Sequence, residues 1–325
     1  MIYVDTKSND PYINLSTEYY FASKKDLGDT VFLLWANRPT LVVGKFQNTR
    51  EEINEEYVRE NGISVIRRLS GGGTVYHDLG GRQYTVIERN SDMKISFRQY
   101  LIPIVNALAS MGVHAEISGR NDLTVDGKKI SGNAQYKLGN VTVHHGTLLF
   151  SSDIEAVVRS TNVDPYKIIS KSIKSVRERV TNIKDHLPSP MTVEEFDRAI
   201  IKFVCPEGKE YVLTPEDNAE IERIADEKFR GDHNIYGKNP PYSIEKTGRF
   251  PGGKVTLHLN VKNEKITDGR ISGDFFGNGD ADVLISLLSG CRLNYDEILN
   301  KLKNNLPSSP LLSITLEDIA HLAAD

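Results

Sequence analysis

The sequence has few of the features that are typical of secreted proteins, of membrane-spanning proteins or of proteins stabilised by a structural metal ion. It has only 2 cysteines in 325 residues. Cys205 and Cys291 lie far apart and in no CxxC pair, so we expect reduced thiols rather than a disulfide framework or a zinc site. No apolar run approaches the length of a transmembrane helix, and no charged and apolar leader opens the chain. We therefore expect a protein that stays in the cytoplasm.

The chain also lacks a strong excess of charge of one sign. Its formal net charge is −4, and no dense basic patch is interleaved with aromatic residues. These features favour neither nucleic acid nor a membrane surface as a partner. With 325 residues the chain is long enough for two domains.

One stretch, residues 67–78, concentrates the features of a binding site. It reads RRLSGGGTVYHD, with consecutive glycines at 71–73 directly after two arginines. Such glycines imply close approach of backbones, and their amides can converge on a phosphate or carboxylate, with the arginines supplying positive charge. It is neither a Walker A loop nor a GxGxxG motif. A glycine-rich hairpin with solvated arginines is the alternative.

A second group of polar residues lies downstream, in a region that we expect to be strands. Lys129 is followed by Ile130 and a Ser-Gly pair, so we expect it to point inward, where it could neutralise an anion. A solvated hairpin lysine is the alternative. His144 and His145 are neighbours on a strand and must face opposite sides, so at most one of them lines a site.

The apolar patterns predict an α+β protein with mixed, mainly antiparallel strands flanked by helices. We expect a surface helix over 14–25 that Asn14 can cap, and a turn at Gly80–Gly81 that forms a hairpin or a near neighbour of one. The helix predicted over 97–111 contains Pro103, which either kinks it or marks its first turn. An antiparallel meander is expected over 116–150. Helices are expected over 192–205, with Met191 or Thr192 at the start, and over 215–230, with Thr214 as the N-cap. A small α+β domain follows, so the predicted domains are 1–243 and 250–325.

Five ordered motifs together carry a family resemblance. They are RRxSGGGxVxHD from Arg67, GRND from Gly119, KISGNA from Lys129, HHGTL from His144 and SVRxRVTN from Ser175. This combination resembles the two-domain lipoate–protein ligases over nearly the whole chain. The resemblance implies a fold shared with biotin protein ligases and a small C-terminal accessory domain.

The resemblance also implies an activity. Such an enzyme would activate free lipoate with ATP and Mg²⁺ to lipoyl-AMP, releasing pyrophosphate, and then lipoylate a lysine of an apo lipoyl domain. The implied acceptors are the E2 subunits of 2-oxoacid dehydrogenases and the glycine-cleavage H protein, and octanoate is a candidate second substrate.

Residue by residue, the resemblance makes Lys129 the catalytic lysine and Asp122 a candidate Mg²⁺ ligand. The implied ATP-binding residues are Arg68, Gly73, Thr74, Val75, Tyr76, Asn121, Asp122 and Lys129. The implied lipoate-binding residues are Arg68, Ser70, Gly71, Gly72, Gly73, His77, Lys129, His145 and Gly146. The adenylate-binding loop over 168–180 would use Lys174, Ser175, Val176 and Arg177, and would close over the intermediate.

Three other functions compete with this interpretation. A lipoyl or octanoyl transferase of the same fold would use a cysteine nucleophile, and neither Cys205 nor Cys291 lies near the motifs. A biotin ligase would have a different glycine-rich segment. A non-catalytic homologue that binds lipoyl domains is the third, and the presence of Lys129 with the complete glycine stretch argues against it.

Overall fold

The structure is a computed structural model that describes residues 1–90, 96–161, 178–236, 244–263, 265–277 and 281–324. The chain forms two compact units. The first consists of Met1–Val43, Thr49–Arg68 and Val75–Ile235, and the second of Gly44–Asn48, Leu69–Thr74 and Tyr236–Asp325. In the described residues no helix combines the length and the apolar character that crossing a membrane requires.

An eight-stranded mixed sheet forms the centre of the first unit. Its strands lie in the order β11-β1-β2-β6-β10-β9-β8-β7, and only β1 pairs in parallel, with β2 and β11. The strands are β1 (Ile2–Val4), β2 (Val31–Trp35), β6 (Arg82–Arg89), β7 (Glu116–Ser118), β8 (Asp122–Val125), β9 (Lys128–Leu138), β10 (Val141–Leu148) and β11 (Glu210–Tyr211). The expected antiparallel meander is therefore confirmed in β7 to β10.

A smaller sheet in the same unit orders β4 (Ser64–Arg67), β3 (Thr40–Val43) and β5 (Val75–His77). The hairpin predicted around Gly80–Gly81 is wrong, because β5 pairs with β3 while β6 pairs with β2 and β10. The two glycines instead form a turn between sheets. A Cβ on Gly80 would lie 2.2 Å from the carbonyl oxygen of Ser151, so close backbone approach explains this glycine.

Helices flank the sheets of the first unit. They are α1 (Pro11–Ser23), α2 (Thr49–Glu52), α3 (Glu55–Glu60), α4 (Arg98–Ser110), α5 (Ile154–Ser160), α6 (Val193–Val204), α7 (Pro215–Ile224) and α8 (Asp232–Tyr236). Thr192 and Thr214 are the N-caps of α6 and α7, and each completes a capping box. Pro103 lies well inside α4, so the expectation that it marks the first turn is wrong.

Helix α1 differs from its prediction in its cap and its burial. Asp10 is the N-cap, and Asn14 is instead buried inside the helix. The Asn14 amide donates to the Ser8 and Ala36 carbonyls and to Asn37 Oδ1. The Asn14 side chain therefore does not cap the helix. Its amide donates hydrogen bonds instead, mainly to the loop that follows β2. The helix is mostly buried rather than a surface helix.

The second unit pairs a three-stranded antiparallel sheet with helices. Its elements are β12 (Ile244–Phe250), β13 (Gly253–Lys262), β14 (Lys265–Gly273), α9 (Asp282–Leu288), α10 (Tyr295–Asn305) and α11 (Leu316–Ala324). Strand β12 had not been predicted, because glycine and charged residues obscure its alternation. The alternating side chains of β13, Val255, Leu257 and Leu259, are buried against the helices.

Two short segments from the N-terminal half of the sequence belong to this second unit. Phe46 stacks on Phe275 with ring centroids 4.7 Å apart and is part of the apolar core. The Gly72 amide donates to the Phe275 carbonyl at 3.0 Å. A Cβ on Gly71 would lie 2.2 Å from that same oxygen, and one on Gly44 would lie 1.9 Å from the Gly72 oxygen. Close backbone packing therefore accounts for glycine at 44 and 71.

Candidate active site

A buried carboxylate of α1 meets a histidine of β10 beneath the eight-stranded sheet. Glu18 is 2% exposed, and its Oε2 lies 2.9 Å from His145 Nδ1. The Thr85 hydroxyl donates to the same oxygen at 2.7 Å. His144, on the opposite face of β10, packs between Tyr84 and Tyr100 instead. The two histidines therefore lie in different surroundings, and the prediction that at most one of them lines a site stays a prediction.

Arg68 brings a positive charge into the same buried region. Its side chain is 6% exposed, and its guanidinium donates to the Val42 carbonyl. Burial, together with Arg67 nearby, lowers the pKa of Arg68 to about 10, while the Glu18 carboxylate raises it. The guanidinium therefore stays charged at neutral pH, in a setting that favours an anion or a polarised group of a ligand.

The guanidinium of Arg67 has different hydrogen-bond partners from that of its neighbour Arg68. Its guanidinium donates to the Ile235 carbonyl and to the Thr49 hydroxyl, and Thr49 itself donates to the same carbonyl. The expectation that both arginines provide charge to one anion therefore needs correction, because these bonds tie Arg67 to the end of α8.

His77 and Trp35 place two donors in the buried region. Asn37 Nδ2 lies 3.0 Å from His77 Nδ1, so Nδ1 accepts and the ring proton lies on Nε2. His77 Nε2 and Trp35 Nε1 are both buried, and neither has a hydrogen-bond partner among the described residues. The two rings are in edge contact, with centroids 6.4 Å apart. Since buried donors are normally bonded, this pair indicates a place for a ligand acceptor.

The protonation of His77 follows from the same surroundings. Burial, followed by the charges of Arg68 and the nearby His145, lowers the pKa of His77 to about 3. The ring is therefore neutral at physiological pH and acts as a donor through Nε2. A neutral imidazole with its proton on Nε2 can hold a ligand acceptor through a hydrogen bond.

Lys129 lies on β9, beside an aspartate of β8. Its Nζ is 2.8 Å from Asp122 Oδ1, and the side chain is 41% exposed. The expectation of an inward-pointing lysine is therefore wrong, since the ammonium lies at the surface of the unit. Half-exposed and paired with one carboxylate, it remains open to an incoming anion.

Asn121 and Gly146 secure the backbone around this lysine. Asn121 and Asn133 exchange side-chain hydrogen bonds with each other's carbonyl oxygens. Asn133 Oδ1 accepts from the Tyr84 hydroxyl, and a Cβ on Gly146 would lie only 1.9 Å from that Oδ1. These contacts link Asn121 and Gly146 to the network around Asn133.

The remaining predicted site residues are divided between the units. Val75 and Tyr76 are in β5 of the first unit, and burial raises the pKa of Tyr76 to about 12. Ser70, Gly71, Gly72, Gly73 and Thr74 belong to the second unit. There Ser70 accepts from the Lys45 amide, and the Thr74 hydroxyl donates to Gln47. The Gly72 amide bonds to Phe275, so it does not contribute to the expected anion nest.

Two family models cover most of the chain. The model described as lipoyl protein ligase A/B catalytic domain matches residues 10–204, and that of the bacterial lipoate protein ligase C-terminus matches residues 239–322. A curated relative, "Lipoate-protein ligase LplJ" of Bacillus subtilis (strain 168), is 41% identical over 99% of each chain. The chain belongs to the lipoate–protein ligase family. This membership supports the ligase interpretation and neither the transferase nor the silent homologue.

Solved structures agree with this assignment. The crystal structure of P. falciparum LipL1 in complex with lipoate matches with a TM-score of 0.77 at 25% identity, covering 93% of this chain and 94% of the other. A bi-partite lipoate protein ligase from Thermoplasma acidophilum, analysed with its E2 lipoyl domain, matches with a TM-score of 0.67 at 26% identity. It covers 75% of this chain and 98% of the other. The α+β fold predicted for this ligase is confirmed.

Both cysteines of the ligase are poor nucleophiles. Cys205 and Cys291 are buried and free, and burial raises the pKa of both thiols, that of Cys205 to about 11. A thiol that stays protonated at neutral pH cannot readily form a thioester. The structure therefore gives a chemical reason against cysteine-based acyl transfer.

Sequence reasoning missed Glu18, Trp35 and Asn37. The signal for Glu18 was present, because it is three residues after Leu15 and four before Ala22, on the apolar face of α1. A carboxylate on a buried face requires a partner. Trp35 gave no signal beyond its apolar strand. Lys174, Ser175, Val176 and Arg177 of the predicted adenylate loop lie outside the described residues.

Proposed function

We propose that this ligase uses ATP to activate free lipoate as lipoyl-AMP and then transfers the lipoyl group to a lysine of an acceptor protein. In the first step the lipoate carboxylate attacks the α-phosphorus, the bond to the β-phosphate breaks, and pyrophosphate leaves. In the second step the acceptor amine attacks the lipoyl carbonyl, an amide forms, AMP leaves, and the amine loses its proton. The observation that carries the proposal is a pair of buried donors near the charged Arg68, His77 Nε2 and Trp35 Nε1, neither of which has a partner in the part of the chain that the structure describes.

For lipoate, the two buried donors would supply the few polar anchors that a largely apolar, elongated acid needs. We assign lipoate contacts to Arg68, Ser70, Gly71, Gly72, Gly73, His77, Lys129, His145 and Gly146. The lipoate complex of LipL1, a relative over nearly the whole chain, supports the choice of ligand. Glu18 holds His145 in place for this role.

Lys129 is the proposed catalytic residue. Its ammonium is half-exposed on a strand, with one carboxylate as its counter-ion. As the carboxylate attacks ATP, negative charge grows on the phosphorus oxygens, and a fixed cation lowers that barrier. In the second step the same ammonium polarises the mixed-anhydride carbonyl.

For ATP, we assign contacts to Arg68, Gly73, Thr74, Val75, Tyr76, Asn121, Asp122 and Lys129. Magnesium is proposed with the nucleotide. Among the described residues no cluster of three metal-binding side chains exists, so a resident metal cage does not fit. A Mg²⁺ ion that needs one carboxylate plus phosphates does fit, and Asp122 would hold it. Bound there, it would neutralise phosphate charge.

We further propose two roles that follow the family. Lys174, Ser175, Val176 and Arg177 would bind the adenylate, and closure of 168–180 would exclude water. The proposed catalytic domain spans 1–243 and the proposed accessory domain spans 250–325. Two segments of the second compact unit, Gly44–Asn48 and Leu69–Thr74, come from the catalytic part of the sequence.

The proposed acceptors are apo lipoyl domains of 2-oxoacid dehydrogenase E2 subunits and the glycine-cleavage H protein. The archaeal relative analysed with its E2 lipoyl domain supports this class of partner. Octanoate is the proposed second acid, and a cytoplasmic location is proposed because ATP and these acceptors meet there.

Pyrophosphate–ATP exchange tests the first step without any acceptor. Purified ligase with Mg²⁺ should exchange label between pyrophosphate and ATP when lipoate is added. With biotin in place of lipoate the exchange should be weak or absent, and with octanoate it should be intermediate. Exchange that does not depend on lipoate would contradict the proposal. Adding an apo E2 domain and measuring its mass then tests transfer.

A further inference from the structure

The pairing of β8 with β9 contains an irregularity next to Lys129. Leu123 pairs with Ser131, and the next residue, Thr124, pairs with Lys129. Ile130 is thereby passed over in the register and forms a β-bulge. Bulges of this kind turn the side chains that precede them to a different side of the strand.

The bulge decides which face of the hairpin carries Lys129. In an uninterrupted register Thr124 would pair with Ile130, and Lys129 would pair with Val125 on the face of buried Leu123. The observed register pairs Lys129 with Thr124 instead. Since alternate residues share a face, Lys129 joins the face of Asp122, to which it is paired at 2.8 Å.

Gly132 provides the space that the redirected side chain occupies. Asp122 pairs with Gly132 across the two strands. A Cβ on Gly132 would lie 3.0 Å from both Cε and Nζ of Lys129, and 3.9 Å from Asp122 Oδ1. The φ of Gly132 is not positive, so its backbone conformation does not require glycine. The lysine side chain is therefore the feature that an added methyl group would disturb.

We propose that Gly132 and the bulge at Ile130 position the Lys129 ammonium for the reaction. Gly132 is a positioning residue, because a side chain at this position would press most closely on Lys129, and its effect on the reaction passes through that lysine. The inference that Gly132 matters for the reaction rests on the proposed catalytic role of Lys129. The inference that Gly132 determines where the Lys129 ammonium lies does not depend on that role. A methyl group at 132 would push the end of a flexible side chain away, while the strands keep their register.

The substitution Gly132→Ala is the direct test, with Gly127→Ala as its matched control. Gly127 lies at the turn of the same hairpin with φ +73° and has no atom within 4 Å of its Cβ position. Alanine there strains the backbone and leaves Lys129 untouched. We expect Gly132→Ala to lower kcat for pyrophosphate–ATP exchange about 10- to 100-fold, since displacements near 1 Å cost about that much.

The two variants should show opposite patterns. Gly132→Ala should keep the wild-type Tm, and its KM values for lipoate and ATP should stay within about threefold. Gly127→Ala should lower Tm and keep kcat. A merely structural role for Gly132 would instead lower Tm and kcat together, and that result would overturn the proposal, as would unchanged kcat.

A crystal structure of Gly132→Ala separates this inference from the proposed function. The Lys129 ammonium should leave its present position beside Asp122, with the backbone of β8 and β9 unchanged. An ammonium found in the same place would refute the positioning role whatever the activity. If wild-type protein showed no lipoate-dependent exchange, the proposed function would fail, while this structural comparison would still decide the geometry.

Discussion

His145 Nδ1 and Glu18 Oε2 lie 2.9 Å apart although 127 positions separate them in the sequence. Both side chains are buried, and the Thr85 hydroxyl donates to the same carboxylate oxygen. A buried carboxylate with two partners is held in one orientation, and removing a partner leaves an unpaired polar group. This relationship links helix α1 to β6 and β10 and holds His145, one of the residues that we assign to lipoate.

Replacing Glu18 with alanine should destabilise the protein. Loss of one partner of a buried pair costs about 3–5 kcal/mol, whereas Glu18→Gln retains an acceptor oxygen and should cost less. Urea unfolding followed by circular dichroism measures the difference. As a control, Glu207→Ala removes an exposed pair with Lys209 and should change stability much less than Glu18→Ala. Equal losses for Glu18→Ala and Glu207→Ala would contradict the buried-pair interpretation.

Lys129→Ala should abolish lipoate-dependent pyrophosphate–ATP exchange while the fold remains. The side chain is half-exposed and leaves no core cavity, so Tm should change little. Lys128→Ala is the matched control, because it removes the same charge from the adjacent exposed residue and should retain activity within about twofold. A Lys129→Ala variant that exchanges label like wild type would remove Lys129 from its proposed role.

His77 should make stability depend on pH in mildly acidic solution. Burial lowers its folded-state pKa to about 3, below the ordinary 6.5, so between these values the unfolded chain binds more protons. Stability is therefore full above about pH 6.5 and falls as pH decreases, by about 1.4 kcal/mol per pH unit for this residue. His144, whose pKa is also lowered by burial, acts in the same direction.

Urea unfolding at pH 7, 6 and 5 tests this contribution. The variant His77→Gln cannot titrate, so its stability should fall less steeply than that of wild type over the same range. Identical slopes for the two proteins would show that His77 is protonated in the folded state or accessible to water, and the neutral-donor role would have to be abandoned.

Gly71 and Gly73 should respond differently to alanine. A Cβ at 71 would lie 2.2 Å from the Phe275 carbonyl oxygen, which is backbone and cannot move aside, whereas a Cβ at 73 meets no atom within 4 Å. We expect Gly71→Ala to lose about 1–3 kcal/mol of stability and Gly73→Ala to stay within about 0.5 kcal/mol. Thermal unfolding measures both. A larger loss for Gly73→Ala than for Gly71→Ala would contradict the packing explanation.

The sequence by itself determined the order and type of most elements. Periodic apolar residues, the capping threonines 192 and 214 and the glycine breaks placed the helices and the meander, because these signals are local. It also identified the family, since five ordered motifs are specific in combination. Arg68, His77 and Lys129 were named as site residues from these motifs alone.

Only the tertiary structure decided how distant residues combine. The pairing of β5 with β3, the partner of His145 on α1 and the bonds of Arg67 to the end of α8 are long-range contacts, which no local pattern encodes. The prediction that the Lys129 side chain points inward was wrong for a related reason. A single-residue bulge reverses the face of a strand, and it depends on the register with β8 rather than on the residues around the lysine.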